Sequence, residues 1–144
     1  MRYKIYLYKT ADTDMIDGHK ELIGRTISKS SKSEWRRYSA QSGMIGFDAE
    51  KVREAILARL TSNGKSLCKS EVCYAPENQA EYVYVVTSYE NALRVLYELR
   101  SVADEYDLLL YDAEIESIVY KIDQNCKNYI AMMMSARRLN DLIF

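Results

Sequence analysis

Histidine is almost absent from this 144-residue sequence, which contains only His19. This residue lies in a polar stretch without a second histidine to share a metal ion, so we interpret it as a surface residue. A catalytic set of Ser, His and Asp, or of Cys and His, would depend on this one side chain. Gly43 and Gly46 do not form a phosphate-binding loop, because the spacing and the following Lys-Ser/Thr pair are missing. We therefore find no motif for a reaction, and we expect a protein that is not an enzyme.

Long apolar runs are also missing. No stretch reaches the roughly eighteen apolar residues of a membrane-spanning helix, and the N-terminal "MRYKIYLYKT" lacks the apolar run of a signal peptide. These absences predict a cytoplasmic protein that does not bind a membrane.

Cysteine is present in an odd number, at Cys68, Cys73 and Cys126. Free thiols are expected, because a chain of this size holds together without disulfides. A Cys68–Cys73 bridge would require an oxidising compartment. The Cys68-x4-Cys73 pair also lacks a second pair of ligands for zinc. We therefore expect neither a metal nor a cofactor.

Apolar residues make up 48% of the chain, which is enough for one domain covering residues 1–144. Alternation predicts a first strand around Tyr3, Ile5 and Leu7 and a central strand over 82–86, and a short apolar strand is expected over 108–111. "IESIVYKI" could extend that last strand after a turn at 112–114. The stretch "KSLCKSEVCYAPENQA" is predicted to be poor in strand.

Three helices are predicted from capping residues and apolar spacing. The first begins at the N-cap Asp48 and stops at Asn63-Gly64. The second follows a Thr87-x-x-Glu90 capping box and ends near Asp107, and the third begins near Asp123. This order predicts an α+β fold, with a small, mainly antiparallel sheet and about three helices packed on it.

Residues 11–46 give a weak signal, and 26–46 are predicted to form a basic loop or a short helix starting at Ser31. Basic and aromatic residues alternate there, an arrangement that can bind phosphates and stack bases. An alternative function is therefore a nucleic-acid-binding regulator that uses Lys29, Lys32, Trp35, Arg36, Arg37 and Tyr38. A mobile basic loop with Trp35 in the core explains the same residues.

Charge is divided unequally along the chain. Residues 1–72 contain 14 Lys and Arg against 9 Asp and Glu, whereas residues 73–144 contain 6 against 12. Thirteen tyrosines stand against two phenylalanines, and tyrosine is an aromatic residue that can face both water and a partner. These features predict an acidic, tyrosine-containing binding surface formed by Asp104, Glu105, Asp107, Tyr111, Asp112, Glu114 and Glu116. Solvated surface explains the acids equally well, and a small hydrolase with paired carboxylates near Asp112 is a further alternative.

The stretch from Glu81 to Tyr120 resembles a family of small bacterial proteins encoded beside secreted toxins. It contains a short strand, the helix "ALRVLYELRSVADEYD" and then "LLLYDAE", which is similar to the helix followed by "gL-x-x-yD" in these proteins. They are the immunity proteins of contact-dependent growth inhibition and related polymorphic-toxin systems. The resemblance implies a cytoplasmic protein without catalysis that neutralises a cognate toxin domain, often a nuclease, by binding it. Because nucleases present basic surfaces, an acidic inhibitor would be steered towards such a toxin.

Overall fold

The computed structural model describes residues 2–11, 17–29, 43–75 and 80–143, and the side chains of all of these except 17, 29 and 137–143. The helices in this part of the chain are α1 (Asp17–Lys29), α2 (Ala49–Leu60), α3 (Tyr89–Tyr106) and α4 (Gln124–Ile143). The strands are β1 (Tyr3–Thr10), β2 (Met44–Ile45), β3 (Thr61–Ser62), β4 (Lys65–Ser66), β5 (Cys68–Ala75), β6 (Ala80–Thr87), β7 (Leu109–Asp112) and β8 (Ser117–Ile118). The predicted α+β class is confirmed.

The main sheet has the strand order β5-β6-β1-β7-β8, and every pair in it is antiparallel. The first strand of the chain therefore lies in the middle, with β6 on one side and β7 on the other. The end of β1 also pairs with β2. The predicted central strand over 82–86 is confirmed, because β6 pairs with β5 and with β1.

Both faces of β1 are buried from Ile5 to Tyr8, where the side chains alternate between two apolar clusters. Ile5 and Leu7 belong to the larger cluster, which also contains the buried faces of α2, α3 and α4. Tyr6 and Tyr8 belong to the second cluster, on the side of α1. The Tyr8 hydroxyl donates a hydrogen bond to the Lys20 carbonyl of α1, 2.6 Å away. The sheet thus lies between α1 and the other three helices.

Helix α1 was not predicted, because residues 11–46 were expected to be mostly loop. The helix buries Ile23 and Ile27 against the second cluster. Its Gly24 lies directly on the ring of Tyr111, where any side chain would overlap the ring. Glycine lowers the helix signal of a sequence, whereas here it permits close contact between helix and sheet. Residues 26–29 are the end of α1 and 44–45 form β2, so the predicted basic loop over 26–46 is wrong at both ends.

Helix α2 begins as predicted, since the Asp48 carboxylate accepts a hydrogen bond from the Lys51 amide at 3.2 Å. The predicted stop is wrong. The helix ends at Leu60, and Asn63 and Gly64 instead form the turn of the β3–β4 hairpin, with φ angles of 53° and 75°. Positive φ at both turn positions is the geometry for which Asn-Gly is preferred in two-residue hairpins.

Helix α3 confirms the prediction for its body and its end. Its N-cap is Ser88 and not Thr87, whose hydroxyl donates to the Leu67 carbonyl. The helix ends at Tyr106, and its C-cap Asp107 adopts the left-handed conformation with φ 56°. Its apolar stripe, which includes Leu96 and Leu99, packs on the sheet.

Strand β5 was also missed, because the polar and exposed Lys69 and Glu71 interrupt its apolar residues. Its geometry rules out the Cys68–Cys73 bridge, since five residues of strand span about 16 Å and a disulfide needs Cα atoms within about 7 Å. All three cysteines are free.

The C-terminal part follows the prediction with one difference. Strand β8 contains only Ser117 and Ile118, so the expected extension over "IESIVYKI" is shorter than predicted. Helix α4 begins at Gln124, and the preceding Asp123 carboxylate accepts a hydrogen bond from the Cys126 amide at 3.0 Å. Among the described residues, no helix is both long enough and apolar enough to cross a membrane.

Candidate functional site

The residues predicted to bind a partner divide into two groups. Asp104, Glu105 and Asp107 lie at the end of α3 and are exposed. The other four lie in β7 and in the turn that follows it, where Tyr111 and Asp112 are fully buried and only Glu116 is exposed. The structure therefore does not bring all seven residues onto one surface.

Asp112 is a structural residue inside the fold, which corrects its expected role at a partner surface. One carboxylate oxygen accepts a hydrogen bond from the Tyr3 hydroxyl. The other accepts from the backbone amides of Glu114 and Ile115, at 2.9 and 3.3 Å, and so fixes the turn after β7. Burial raises the pKa of Asp112 from 3.8 to about 6, while these hydrogen bonds favour the charged form.

Tyr111 is also removed from the predicted surface. Its side chain is 0% exposed and packs against Gly24 of α1. Neither Tyr111 nor Asp112 can contact a partner or a substrate in this conformation. The sequence placed both beside exposed acids but contained no sign of the opposing Tyr3 and Gly24.

Glu114 also supports the fold. It is half-buried, and its carboxylate accepts a hydrogen bond from the Tyr89 hydroxyl of α3 at 3.0 Å. The Tyr129 hydroxyl of α4 contacts the Glu114 carbonyl at 3.3 Å. These contacts connect the turn after β7 to two helices, and they leave Glu114 little surface for a partner.

The acids of α3 are held in position by two arginines. Arg59 of α2 contacts Glu105 at 3.0 Å and Glu98 at 3.6 Å. Arg100 contacts Asp104 at 2.7 Å. The side chains of Asp104 and Glu105 remain 70% and 53% exposed, so their outer oxygens face solvent and can meet a further cation.

The position of these acids on the helix is electrostatically unfavourable. The C-terminus of a helix carries the negative end of its dipole and favours Lys, Arg or His. The last turn of α3 contains no basic residue, and Asp104, Glu105 and Asp107 are concentrated there instead. The pairs with Arg59 and Arg100 compensate for only part of this arrangement, because exposed ion pairs contribute about 0–1 kcal/mol.

One exposed tyrosine lies beside these acids. Tyr97 is 47% exposed and stands on the same face of α3 as Arg100 and Asp104, at positions i, i+3 and i+7. Arg100 also donates a hydrogen bond to the Val119 carbonyl, which connects this face of α3 to the residue after β8. We define the acid–tyrosine surface as Tyr97, Asp104, Glu105 and Asp107.

No role for Tyr97 was predicted from the sequence. The signal was available, since Tyr97 falls outside the apolar stripe that Leu93, Leu96 and Leu99 form on α3.

Other predicted sites find no counterpart in the described residues. Lys32, Trp35, Arg36, Arg37 and Tyr38 lie outside the described residues, as does the side chain of Lys29. The nucleic-acid-binding alternative therefore stays a prediction. Among the side chains that are described, no three His, Cys, Asp or Glu residues are grouped as a metal site would need.

The described residues form two open cavities. One, of about 390 Å³, lies at the ends of β5 and β6 and is lined by no carboxylate. The other, of about 340 Å³, lies between β8 and α4 and contains one, that of Asp123. Neither cavity holds the pair of carboxylates that a hydrolase of the predicted kind uses.

Compared with known proteins, the chain matches no family model, no curated protein and no solved structure. Its function has to be argued from the arrangement of its own residues.

Proposed function

We propose that this chain is an immunity protein that neutralises a basic toxin domain by binding it one to one through the acid–tyrosine surface. The proposal unites the resemblance of residues 81–120 to immunity proteins with the charge of residues 73–144, which contain 6 basic residues against 12 acids. It retains Asp104, Glu105 and Asp107 from the predicted surface. It replaces the buried Tyr111 with the exposed Tyr97 and leaves out the buried Asp112.

The observation that carries the proposal is the set of acids at the C-terminal end of α3. Three carboxylates in this position oppose the helix dipole, and the ion pairs with Arg59 and Arg100 compensate for only part of this. Local rules of this kind are most often broken where a residue serves function. A basic partner would favour this end of the helix, because its cations would meet both the carboxylates and the negative end of the dipole.

Tyr97 would supply what the acids cannot. Exposed carboxylates increase the rate at which a basic protein approaches, but they add little affinity while they stay in water. Large aromatic side chains provide much of the affinity at protein interfaces when they become buried among charged neighbours. Tyr97 would be such an anchor, and Asp104, Glu105 and Asp107 would form the surrounding acidic rim.

The experiment uses the toxin domain that the resemblance predicts, namely the C-terminal domain of the large protein encoded beside this chain. The toxin domain is expressed with the wild-type chain, with Asp104→Lys/Asp107→Lys, or with Tyr97→Ala. Wild type should restore growth and form a one-to-one complex. The double reversal should slow association and make it less dependent on salt, because steering follows the summed charge. If either acid is desolvated against a toxin cation, binding should weaken by about 2–5 kcal/mol.

The matched control is Glu54→Lys, which reverses an exposed acid on α2, outside the acid–tyrosine surface. It should protect cells as well as wild type does. Failure of the wild-type chain to bind or protect would reject the function. Full protection and unchanged kinetics with the double reversal would reject the surface and retain the function.

A further inference from the structure

Strand β5 is a long strand at the edge of the sheet. It pairs with β6 along all of Cys68–Ala75, and within the described ranges no strand pairs with its other side. Exposed edges of this length offer a row of backbone donors and acceptors to another strand, and proteins usually shorten, cover or charge them.

Hydrogen bonds elsewhere in the sheet determine which groups of β5 point outwards. The Ala113 amide donates to the Lys4 carbonyl at 3.0 Å, so the backbone groups of Lys4 point towards β7. The backbone N–H and C=O groups of successive residues in an antiparallel strand point to opposite sides. Those of Tyr3 and Ile5 therefore point towards β6. The same alternation applies across β6 to β5. The backbone groups of residues 69, 71 and 73 point towards β6, and those of residues 68, 70, 72 and 74 point away from the sheet, towards its open edge.

Within the described ranges, the outward groups are largely unpaired. The Ser66 hydroxyl donates a hydrogen bond to the Cys68 carbonyl at 2.6 Å. The Cys68 amide makes only a long contact, of 3.4 Å, with the Ser66 hydroxyl oxygen. For the outward amides and carbonyls of Ser70 and Val72, the described part of the chain provides no partner. A strand of suitable sequence could therefore bind along this edge.

We propose that the occupant is β5 of a second copy of this chain, paired antiparallel about a twofold axis through Ser70. The reason is that the sequence of Cys68–Val72 is complementary to itself in this register. Lys69 lies opposite Glu71 of the second copy, Cys68 lies opposite Val72, and Ser70 lies opposite Ser70. Each residue is therefore paired with a side chain of opposite charge or of the same polarity.

The side-chain positions agree with this pairing. Lys69 and Glu71 are both exposed on the sheet face away from α2, so symmetry would create two ion pairs there. Cys68 and Val72 lie on the opposite face, where both contact the larger apolar cluster. In the dimer, the charged face of one strand would thus continue into the charged face of the other, and the apolar face into the apolar face.

Ser70 provides an independent observation. Its hydroxyl oxygen is buried and has no hydrogen-bond partner among the described residues, an arrangement that is unfavourable for a polar group. Rotation of the side chain towards the edge would bring it to the Ser70 hydroxyl of the second copy. Pairing would therefore satisfy a group that the described part of one chain leaves unsatisfied.

The test reverses the charges of Lys69 and Glu71, singly and together, in the whole chain. Sedimentation over a range of concentrations measures the dimer dissociation constant of each variant. Wild type should form a dimer. Lys69→Glu and Glu71→Lys should each weaken it about tenfold or more, because each variant places two like-charged pairs across the axis. The combined Lys69→Glu/Glu71→Lys variant should dimerise like wild type, since it restores both opposite-charge pairs. Circular dichroism checks that each variant is folded.

The matched control is Lys4→Glu, which reverses an exposed lysine on the same strand row, two strands away from the edge. It should leave the dimer unchanged. Hydrogen exchange gives a second measurement, because the Ser70 and Val72 amides should exchange slowly in the wild-type dimer and fast in Lys69→Glu. A wild-type chain that stays monomeric, or a dimer that both single reversals leave intact, would overturn the proposal.

Discussion

The hydroxyl of Tyr3 donates a hydrogen bond to the carboxylate of Asp112, and both side chains are fully buried. The two residues are 109 positions apart and join the start of β1 to the end of β7. The Tyr89 ring packs edge-on against Tyr3, with ring centroids 5.4 Å apart. A tyrosine near the N-terminus is therefore part of the core, and it holds the carboxylate that fixes the turn after β7.

Replacing Asp112 with Asn should change how stability depends on pH. The pKa of Asp112 is raised to about 6 in the folded chain, so the carboxyl binds its proton more tightly there than in the unfolded chain. Its contribution to stability is fully present below about pH 4 and is lost as the pH rises through 6. The free energy of unfolding of wild type, relative to Asp112→Asn, should therefore fall by about 2–3 kcal/mol between these limits.

Urea unfolding at several pH values from 4 to 7 measures this difference, and parallel curves for the two proteins would contradict it. Tyr3→Phe is the companion variant. It removes the hydroxyl that stabilises the charged carboxylate, so its loss of stability should be larger at pH 7 than at pH 4.

Gly24→Ala should destabilise the chain by about 1–3 kcal/mol, because a Cβ at this position would overlap the buried ring of Tyr111. The control is Gly18→Ala in the same helix, where a Cβ meets nothing within 4 Å. That variant should be neutral or raise the free energy of unfolding by up to about 1 kcal/mol, as Ala favours a helix over Gly. Thermal or urea unfolding compares the two, and equal effects would mean that α1 does not contact Tyr111 as described.

Asp107→Gly should stabilise the chain by about 0.5–1 kcal/mol. Asp107 ends α3 with φ 56°, a conformation that glycine adopts without strain, and the substitution also removes an acid from the negative end of the helix. Urea unfolding gives the change in stability. Under the proposed function the same variant should bind the toxin domain more weakly, so stability and binding should change in opposite directions. A variant less stable than wild type would show that Asp107 contributes to the fold.

Thiol titration under denaturing, non-reducing conditions should find three free thiols per chain. Under native conditions Cys73, which is half-buried, should react before Cys68 and Cys126, which are buried. Burial raises the pKa of all three thiols, that of Cys126 to about 11, which keeps them protonated and slow to react. One free thiol instead of three would contradict the position of Cys68 and Cys73 on the same strand.

Several elements could be predicted because their signals are local. The alternation at Tyr3–Leu7 and the apolar stripe of α3 need no knowledge of the rest of the chain. By contrast, α1 depends on a glycine that fits against Tyr111, and β5 is a strand only because β6 pairs with it. The burial of Asp112 depends on Tyr3, which no local pattern connects to it. The candidate site was therefore half predicted, with three acids of α3 retained and the buried residues of β7 removed.

The central position of β1 also determines when the sheet can form during synthesis. Tyr3–Thr10 is made first, but its partners β6 and β7 follow only at Ala80–Thr87 and Leu109–Asp112. Until then the ribosome-bound chain carries a tyrosine-rich strand with both edges open, and long-range pairing of this kind is slow to form and exposed to aggregation. A nascent chain that stops before β7 would remain a substrate for chaperones, because its first strand would still be unpaired along one side.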